Sequence, residues 1–187
     1  TLARLVKDST KHVLLMGEGA ERFAAQMPVE RVARSYFLER DPDKKGEVPD
    51  WLHDAKFGTV GAVALDRQGN LAAGTSTGGM RGKKFGRVGD VPLIGAGTYA
   101  ENGVVAVSCT GHGEFFIRQV AAYEVAALMK YKGFTVQEAA NAVIHEQLHP
   151  IGGSGGLIAL DAQGNFHLPF NSGSMFRASV DNAGKLP

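Results

Sequence analysis

The stretch that decides the fold reads GTVGAVALD over residues 58–66. Its small and β-branched residues, from Val60 to Leu65, predict a strand. The polar turn that follows contains Gly69, and residues 71–77 return to strand character. Two strands joined by a short turn with a glycine predict a β-hairpin. This hairpin is the first of three strand pairs that we expect along the chain.

Two further strand pairs follow the same pattern. In the second pair, residues 97–100 and 104–109 flank a short turn. In the third pair, residues 157–161 and 166–169 flank the turn at 162–165. This turn repeats the Gln-Gly-Asn sequence of the first hairpin's turn. Two similar hairpins do not make a repeat protein, because a solenoid needs at least three units at a fixed period.

Two helices are predicted between the second and third strand pairs. Apolar residues recur at helical spacing over residues 114–131. Thr135 and Glu138 form a capping-box pattern that begins a second helix. We expect this helix to run through Ile144 and to end near Pro150, because proline cannot continue it. Strands followed by adjacent helices and another strand pair indicate an α+β fold with helices packed on antiparallel sheet.

The part of the chain before the first hairpin has a different character. Residues 2–8 predict the end of an amphipathic helix, residues 12–16 a short buried strand, and residues 20–26 a helix. Residues 39–58 are rich in charge, proline and glycine and cannot bury an apolar face, so we expect a solvated linker. Because the sequence starts with Thr1 in a helical phrase, we expect that an upstream segment precedes it.

Composition argues against several classes of function. Lys and Arg number 20 against 19 Asp and Glu, so the net charge of +1 provides no field to attract nucleic acid. No apolar run reaches the roughly 18 residues that a membrane span requires. The single cysteine, Cys109, leaves no intrachain disulfide and no cysteine-based zinc site. We therefore expect a cytoplasmic protein that binds neither nucleic acid nor membrane.

A zinc-peptidase motif occurs at residues 145–149, which read HEQLH. In that motif His145 and His149 bind the metal and Glu146 acts as the base. Here both histidines lie at the margin of the helix's apolar stripe, and no further histidine motif lies nearby to supply a third ligand. Exposed histidines at a helix C-terminus are the simpler interpretation, and a zinc peptidase stays an alternative.

Three other signals are weak. Residues 95–100, GAGTYA, resemble a dinucleotide-binding fingerprint, but a strand and not a helix is predicted to follow them. Residues 152–156, GGSGG, either cradle an anion or enter a strand where backbones approach closely. Cys109 ends an apolar strand and is more simply a small buried residue than a nucleophile.

The pair Gly58-Thr59 offers a more specific chemistry. If the peptide bond between the two residues is broken, Thr59 gains a free α-amino group beside its own hydroxyl. The amine can then act as the general base that activates the hydroxyl as a nucleophile. An α-amino group has an ordinary pKa of about 7.7–8.0, so a usable fraction is neutral near pH 7. By itself, however, a Gly-Thr pair is also a common way to begin a strand.

Five blocks of sequence occur in one order and together resemble the plant-type asparaginase and isoaspartyl aminopeptidase family of N-terminal-nucleophile hydrolases. The resemblance runs from about residue 12 to residue 177, and residues 13–20 are similar to the end of that family's α subunit. The blocks are GTVGAVALD at 58–66, TSTGGM at 75–80, GRVGD at 86–90, SCTGHGE at 108–114 and GGSGG at 152–156.

The resemblance implies how the chain processes itself and attacks its substrate. Gly58 and Thr59 would form the autoproteolytic cleavage site. Thr59 would be the nucleophile and, once released, the base. Thr77 would stand beside Thr59 and hydrogen-bond its amine or hydroxyl. The hydroxyl of Thr110 and the amide of Gly111 would form the oxyanion hole.

The resemblance also implies the substrate-binding residues. Arg87 would grip the substrate α-carboxylate, since a guanidinium fork suits a carboxylate. Asp90 would hold the α-ammonium group, although without the family an Arg and an Asp so close would be an ordinary surface ion pair. Thr110 and Gly111 would also contact the substrate, and Gly113 would allow its close approach to the backbone. The expected substrates are L-asparagine and β-aspartyl (isoaspartyl) dipeptides.

The implied architecture is a four-layer αββα sandwich. Residues 1–58, with the linker at 39–58, would be the C-terminal part of the α subunit, and residues 59–187 the β subunit. We expect a homodimer of αβ units and no cofactor. The resemblance allows a structural alkali cation, but the family's cation-binding loop belongs to the upstream part of the α subunit and is not in this sequence.

Two other interpretations stay open beside the zinc peptidase. The chain is also similar to glycosylasparaginases, but these usually carry Asp before the nucleophile, and Gly58 favours the asparaginase branch. The other interpretation is a non-catalytic fragment that lacks its partner segment.

Overall fold

A computed structural model of the chain describes residues 2–33, 36, 58–80, 83–181 and 184. Most of the predicted linker, residues 39–57, lies outside the described residues. The chain divides into two compact units, residues 1–54 and residues 55–187.

The described part of the first unit contains two short helices, α1 at Leu2–Ser9 and α2 at Gly17–Ala24. The predicted helix near the N-terminus is therefore confirmed, and the second helix begins earlier than predicted. The predicted strand at residues 12–16 is wrong. Val13 is 68% exposed and Met16 is 69% exposed. No strand occurs among the described residues of this unit, so residues 12–16 have no partner there to complete a ladder.

The second unit begins with the predicted hairpin. Strands β1 (Thr59–Leu65) and β2 (Leu71–Thr77) pair antiparallel. The turn is organised by Asp66, whose carboxylate accepts hydrogen bonds from the amides of Gln68 at 2.9 Å and Asn70 at 2.8 Å. An Asp that bonds to the amides just after it is a self-contained turn signal. We call this pair of strands the ribbon.

The other two strand pairs are β3 (Thr98–Glu101) with β4 (Val105–Gly111), and β5 (Gly155–Asp161) with β6 (Phe166–His167). They form one four-stranded antiparallel sheet in the order β3-β4-β5-β6. Here Asp161 repeats the role of Asp66 and accepts from the amides of Gln163 at 2.9 Å and Asn165 at 2.8 Å. Both hairpins predicted for this part are thereby confirmed.

The two faces of the four-stranded sheet are covered differently. On one face Val105, Val107 and Cys109 of β4 join the apolar core formed with the helices. Because side chains alternate along a strand, Ser108 and Thr110 point to the other face. Ser108 there bonds to Thr75 of the ribbon. The described residues of this unit are thus layered as ribbon, sheet and helices, an α+β arrangement.

The first predicted helix of this unit is broken in two. The structure has α3 at Gly113–Gln119 and α4 at Ala121–Lys132, separated by Val120 in a left-handed conformation with φ 49°. A β-branched residue in that conformation is strained. Just after the break, the amide of Tyr123 in the first turn of α4 donates to the carbonyl of Gly95 at 2.8 Å. Periodicity alone misses such a break because the apolar spacing continues across it.

The second predicted helix is confirmed at both ends. It begins as α5 at Val136–Asn141 with the capping box complete, since the Thr135 hydroxyl accepts from the Glu138 amide and the Glu138 carboxylate accepts from the Thr135 amide. It widens into a π-helical segment at Ala142–Leu148 and ends in a 3₁₀ turn at His149–Ile151. Across the described ranges, no helix combines the length and apolar character needed to cross a bilayer.

Candidate active site

The ends of the ribbon bring three of the predicted site residues together. Thr59 is the first residue of β1 and lies opposite Thr77, the last residue of β2. The Thr59 hydroxyl donates to the Thr77 hydroxyl oxygen at 3.2 Å. Thr77 in turn donates to the carbonyl oxygen of Gly58 at 3.0 Å and accepts from the amide of Gly79 at 3.0 Å. One hydroxyl therefore bridges the predicted nucleophile and the carbonyl of the bond that it would break.

A second group of predicted residues is charged. The Arg87 guanidinium makes a two-pronged contact with the carboxylate of Glu114, with Nε to Oε1 and Nη2 to Oε2 both at 2.8 Å. This contact lowers the pKa of Glu114 to about 2. Sequence reasoning missed Glu114 as a site residue. It is the last residue of the block at 108–114, but nothing in the sequence shows that it pairs with an arginine 27 positions away.

The other charged residue of this group is Asp90, which is buried and only partly hydrogen-bonded. Asp90 is 5% exposed, and among the described residues its Oδ2 has no hydrogen-bond partner. Burial raises the pKa of Asp90, while the positive charge of Arg87 acts in the opposite direction. A buried carboxylate without a partner is costly, and a cationic ligand group would relieve that cost.

Gly113 makes room for this charged group. A Cβ placed at residue 113 would lie 2.6 Å from Asp90 Oδ1 and 3.0 Å from Arg87 Nη2. Contacts this short force neighbours to move, so any larger residue would displace the two side chains. The backbone of Gly113 consequently forms one wall of the space around Arg87 and Asp90.

Thr110 and Gly111 are the last two residues of β4. Gly111 has φ +139° and pairs with Gly155 of β5. A Cβ at residue 111 would lie 2.6 Å from the Cα of Gly155, so the two backbones touch at a distance that only glycine permits. The segment at 152–156 is therefore an entry to a strand at close backbone approach, the second of its two sequence interpretations.

The remaining sequence signals do not converge on a site. His145 and His149 are both exposed, and among the described residues no group of three potential ligands could hold a metal ion. Strand β3 begins at Thr98, within the glycine-rich 95–100 segment, which is not the context of a dinucleotide-binding turn. Cys109 is buried, and burial raises the pKa of its thiol well above the ordinary value. A thiol of that kind is unreactive.

Known proteins resemble this chain over nearly its whole length. Isoaspartyl peptidase of Escherichia coli (strain K12) is 52% identical over 191 residues, covering 94% of the chain and 59% of that protein. The isoaspartyl peptidase of Salmonella typhimurium is also 52% identical and is covered to 60%. Isoaspartyl peptidase/L-asparaginase of Mus musculus is 44% identical, covering 99% of the chain and 58% of that protein. The chain thus spans about three fifths of the length of these relatives.

A family model gives the same assignment. The model described as asparaginase matches residues 1–186, which is nearly every residue of the chain. The five sequence blocks that carried the resemblance all lie inside this range. The chain belongs to the asparaginase family.

Proposed function

We propose that the protein containing this chain is an autoprocessing threonine amidohydrolase that hydrolyses L-asparagine and β-aspartyl dipeptides. The observation that carries the proposal is the hydrogen-bonded chain from the Thr59 hydroxyl through Thr77 to the Gly58 carbonyl oxygen. The names of the relatives, isoaspartyl peptidase and isoaspartyl peptidase/L-asparaginase, support the substrate class.

Processing would start with attack of Thr59 Oγ on the carbonyl carbon of Gly58. The Thr59 proton passes to Thr77, and the Thr77 proton passes to the Gly58 oxygen, so that the tetrahedral adduct is neutral. When the adduct collapses, the carbon–nitrogen bond breaks and the proton moves to the Thr59 nitrogen, leaving an ester. Water then hydrolyses this ester. The products are the Gly58 carboxylate and a free amine and hydroxyl on Thr59.

Hydrolysis of the substrate would reuse the same hydroxyl. The free amine takes the proton of Thr59 Oγ as the oxygen attacks the β-carbonyl carbon of the substrate. The hydroxyl of Thr110 and the amide of Gly111 stabilise the oxyanion. Ammonia or an amino acid leaves with the proton, and water hydrolyses the β-aspartyl ester on Thr59. No step of this scheme calls for a cofactor.

Arg87 and Asp90 would select the substrate. A free amino-acid end carries a carboxylate and an ammonium group, which match a guanidinium and a carboxylate. Oδ2 of Asp90 has no hydrogen-bond partner among the described residues, so an ammonium ion would satisfy it. The Arg87 fork is held by Glu114, so a substrate carboxylate would have to share or displace that contact.

The architecture, assembly and location implied by the resemblance are proposed with the activity. Ribbon, sheet and helices would be three layers of the αββα sandwich, and the outer face of the ribbon, where Val60 is 71% exposed, would carry the fourth. A homodimer of αβ units is testable by light scattering. A cytoplasmic location agrees with an unpaired buried Cys109.

The test is the intact mass of the full-length protein that contains this chain, together with its Thr59→Ala variant. Cleavage between Gly58 and Thr59 in the natural protein, and none in Thr59→Ala, is expected. Hydrolysis of asparagine or a β-aspartyl dipeptide should be lost in the variant and should be insensitive to zinc chelation. Normal cleavage or turnover in Thr59→Ala would overturn the proposal. Activity that survives in Thr59→Ala but is lost when a zinc chelator is added would favour a zinc peptidase.

A further inference from the structure

Three hydroxyl groups form a cluster between the ribbon and the four-stranded sheet. Thr75 Oγ1 and Ser108 Oγ lie 2.7 Å apart, and Thr98 donates to Thr75 at 2.5 Å. Each residue comes from a different strand, namely β2, β3 and β4. Ser108 is only 4% exposed. We call Thr75, Thr98 and Ser108 the hydroxyl cluster.

The ribbon lies unusually close to the sheet at this cluster. Gly61 pairs with Thr75 across the ribbon. A Cβ on Gly61 would overlap the hydroxyl oxygen of Ser108 and lie 2.9 Å from its Cβ. No residue larger than glycine fits there without moving the two sheets apart. The hydroxyl cluster therefore sits at a tight contact between the two sheets.

On both sheets, the cluster lies two residues along the strand from the proposed reacting groups. Thr77 follows Thr75 by two residues, so the two side chains lie on the same face of β2. Thr59 lies opposite Thr77, as Gly61 lies opposite Thr75. By the same alternation, Thr110 lies on the same face of β4 as Ser108. A bond between Thr75 and Ser108 thus fixes the nucleophile's sheet relative to the sheet that carries the oxyanion-binding residues.

The cluster also reaches the loop that carries Asp90. Thr98 Oγ1 lies 3.4 Å from the carbonyl oxygen of Val91, the residue after Asp90. Thr75 Oγ1 lies 3.5 Å from the carbonyl oxygen of Gly97, whose own amide donates to the carbonyl of Asp90 at 3.1 Å. The same three side chains consequently contact the elements that carry the nucleophile, the oxyanion-binding residues and the ammonium-binding carboxylate.

We propose that Thr75, Thr98 and Ser108 are positioning residues, which set the spacing between Thr59 and the oxyanion-binding residues Thr110 and Gly111. This inference rests on the proposed function of Thr59. Attack requires the reacting atoms to be about 3–3.5 Å apart, and a misplacement of about 1 Å can reduce the rate by roughly 10²-fold. The hydroxyl cluster acts only through this geometry, since its side chains belong to no step of the reaction.

The experiment compares Thr75→Val and Ser108→Ala with Thr75→Ser in the full-length protein. Thr75→Val keeps the shape of the side chain and removes its hydroxyl, whereas Thr75→Ser keeps the hydroxyl. We expect kcat for a β-aspartyl dipeptide to fall roughly 10- to 100-fold in the first two variants. Cleavage after Gly58 should keep its natural rate, because it involves only Gly58, Thr59 and Thr77 and none of the residues of the four-stranded sheet. KM should stay within about twofold, and Thr75→Ser should recover most of the loss. Ser76→Ala, on the exposed outer face of the same strand, is the matched control and should behave like the natural protein.

Three outcomes would overturn the proposal. They are a natural kcat in both hydroxyl-deleted variants, a change in KM alone, or a loss of kcat that disappears when activity is divided by the folded fraction. If Ser108→Ala yields no folded protein, Thr98→Val is measured instead, because it removes the hydroxyl that β3 contributes to the cluster. A failure of the proposed function is recognised separately, because Thr59→Ala would then still be cleaved.

Discussion

The two groups of predicted site residues differ in charge and in how completely they are hydrogen-bonded. At the end of the ribbon, Thr59, Thr77 and the Gly58 carbonyl are uncharged and bonded to one another. Around Gly113, Arg87 and Asp90 are charged, and one oxygen of Asp90 has no partner among the described residues. The first group is complete before any ligand arrives, while the second is incomplete.

This difference fits the two tasks that we propose, cleavage of the chain after Gly58 and recognition of a charged substrate. A group that must cleave its own chain has to be assembled by folding alone, so its hydrogen bonds are already made. A group that must recognise a charged molecule needs unsatisfied charge, and such charge lowers the stability of the folded protein. The comparison leads to three predictions, from the largest expected effect to the smallest.

Removing the hydroxyl of Thr77 should have the largest effect. Thr77→Val breaks the bonds to Thr59 and to the Gly58 carbonyl together. We expect the rate of chain cleavage to fall roughly 10²- to 10³-fold, as when a preorganised donor is removed from an active site. Thr77→Ser keeps the hydroxyl and should retain most of the rate. The measurement is the time course of intact mass, and cleavage of Thr77→Val at the natural rate would show that the ribbon group is not assembled for this task.

Neutralising Asp90 should stabilise the protein and weaken substrate binding. Because burial raises the pKa of Asp90 in the folded state, its ionisation favours the unfolded chain, and the full penalty is present at neutral pH. Asp90→Asn should therefore raise the free energy of unfolding at pH 7 by about 1 kcal/mol, while KM increases. Chemical denaturation and steady-state kinetics measure the two effects.

Asp161 provides the matched control for that substitution. It is also 5% exposed, but both of its carboxylate oxygens accept hydrogen bonds from its own turn. Asp161→Asn should lower the stability, since it weakens the bonds to the Gln163 and Asn165 amides. If Asp90→Asn and Asp161→Asn destabilise the protein equally, the charge of Asp90 is not the uncompensated group that we describe.

The smallest effect concerns the pH dependence of stability. Arg87 lowers the pKa of Glu114 to about 2, below the ordinary value of about 4.3. The stabilisation from this pair is fully present above the ordinary pKa and is lost as the pH falls through about 2. Glu114→Gln should therefore lose less stability than the natural protein between pH 5 and pH 2. Parallel curves for the two proteins would mean that the ion pair does not contribute, and the partial exposure of Glu114 keeps the expected difference small.

Local signals in the sequence predicted the strands well. The turns at Asp66 and Asp161 depend on bonds between near neighbours, so both hairpins could be predicted from a few residues. The strand at 12–16 was wrong because an apolar run does not show whether a partner strand exists. The break at Val120 was missed because the apolar spacing of a helix continues across it.

The candidate site divides in the same way. Thr59 and Thr77 could be predicted from the family's sequence blocks, and the structure places their hydroxyls in contact. Glu114 and the hydroxyl cluster were not predicted. Their significance lies in contacts between strands and loops that are distant along the chain, and periodicity and motif spacing contain no information on such contacts.

Cleavage after Gly58 would turn Thr59 into a chain end, and chain ends are where proteins usually fray. The pairing of the ribbon counters this tendency, because β1 is matched to β2 from Thr59 through to Leu65. The new terminus would be the last paired residue of a complete antiparallel ladder. Two residues along β1, the close approach of Gly61 to Ser108 would hold the strand in place. Proteolysis would then free the amine of Thr59 without loosening the strand that presents it.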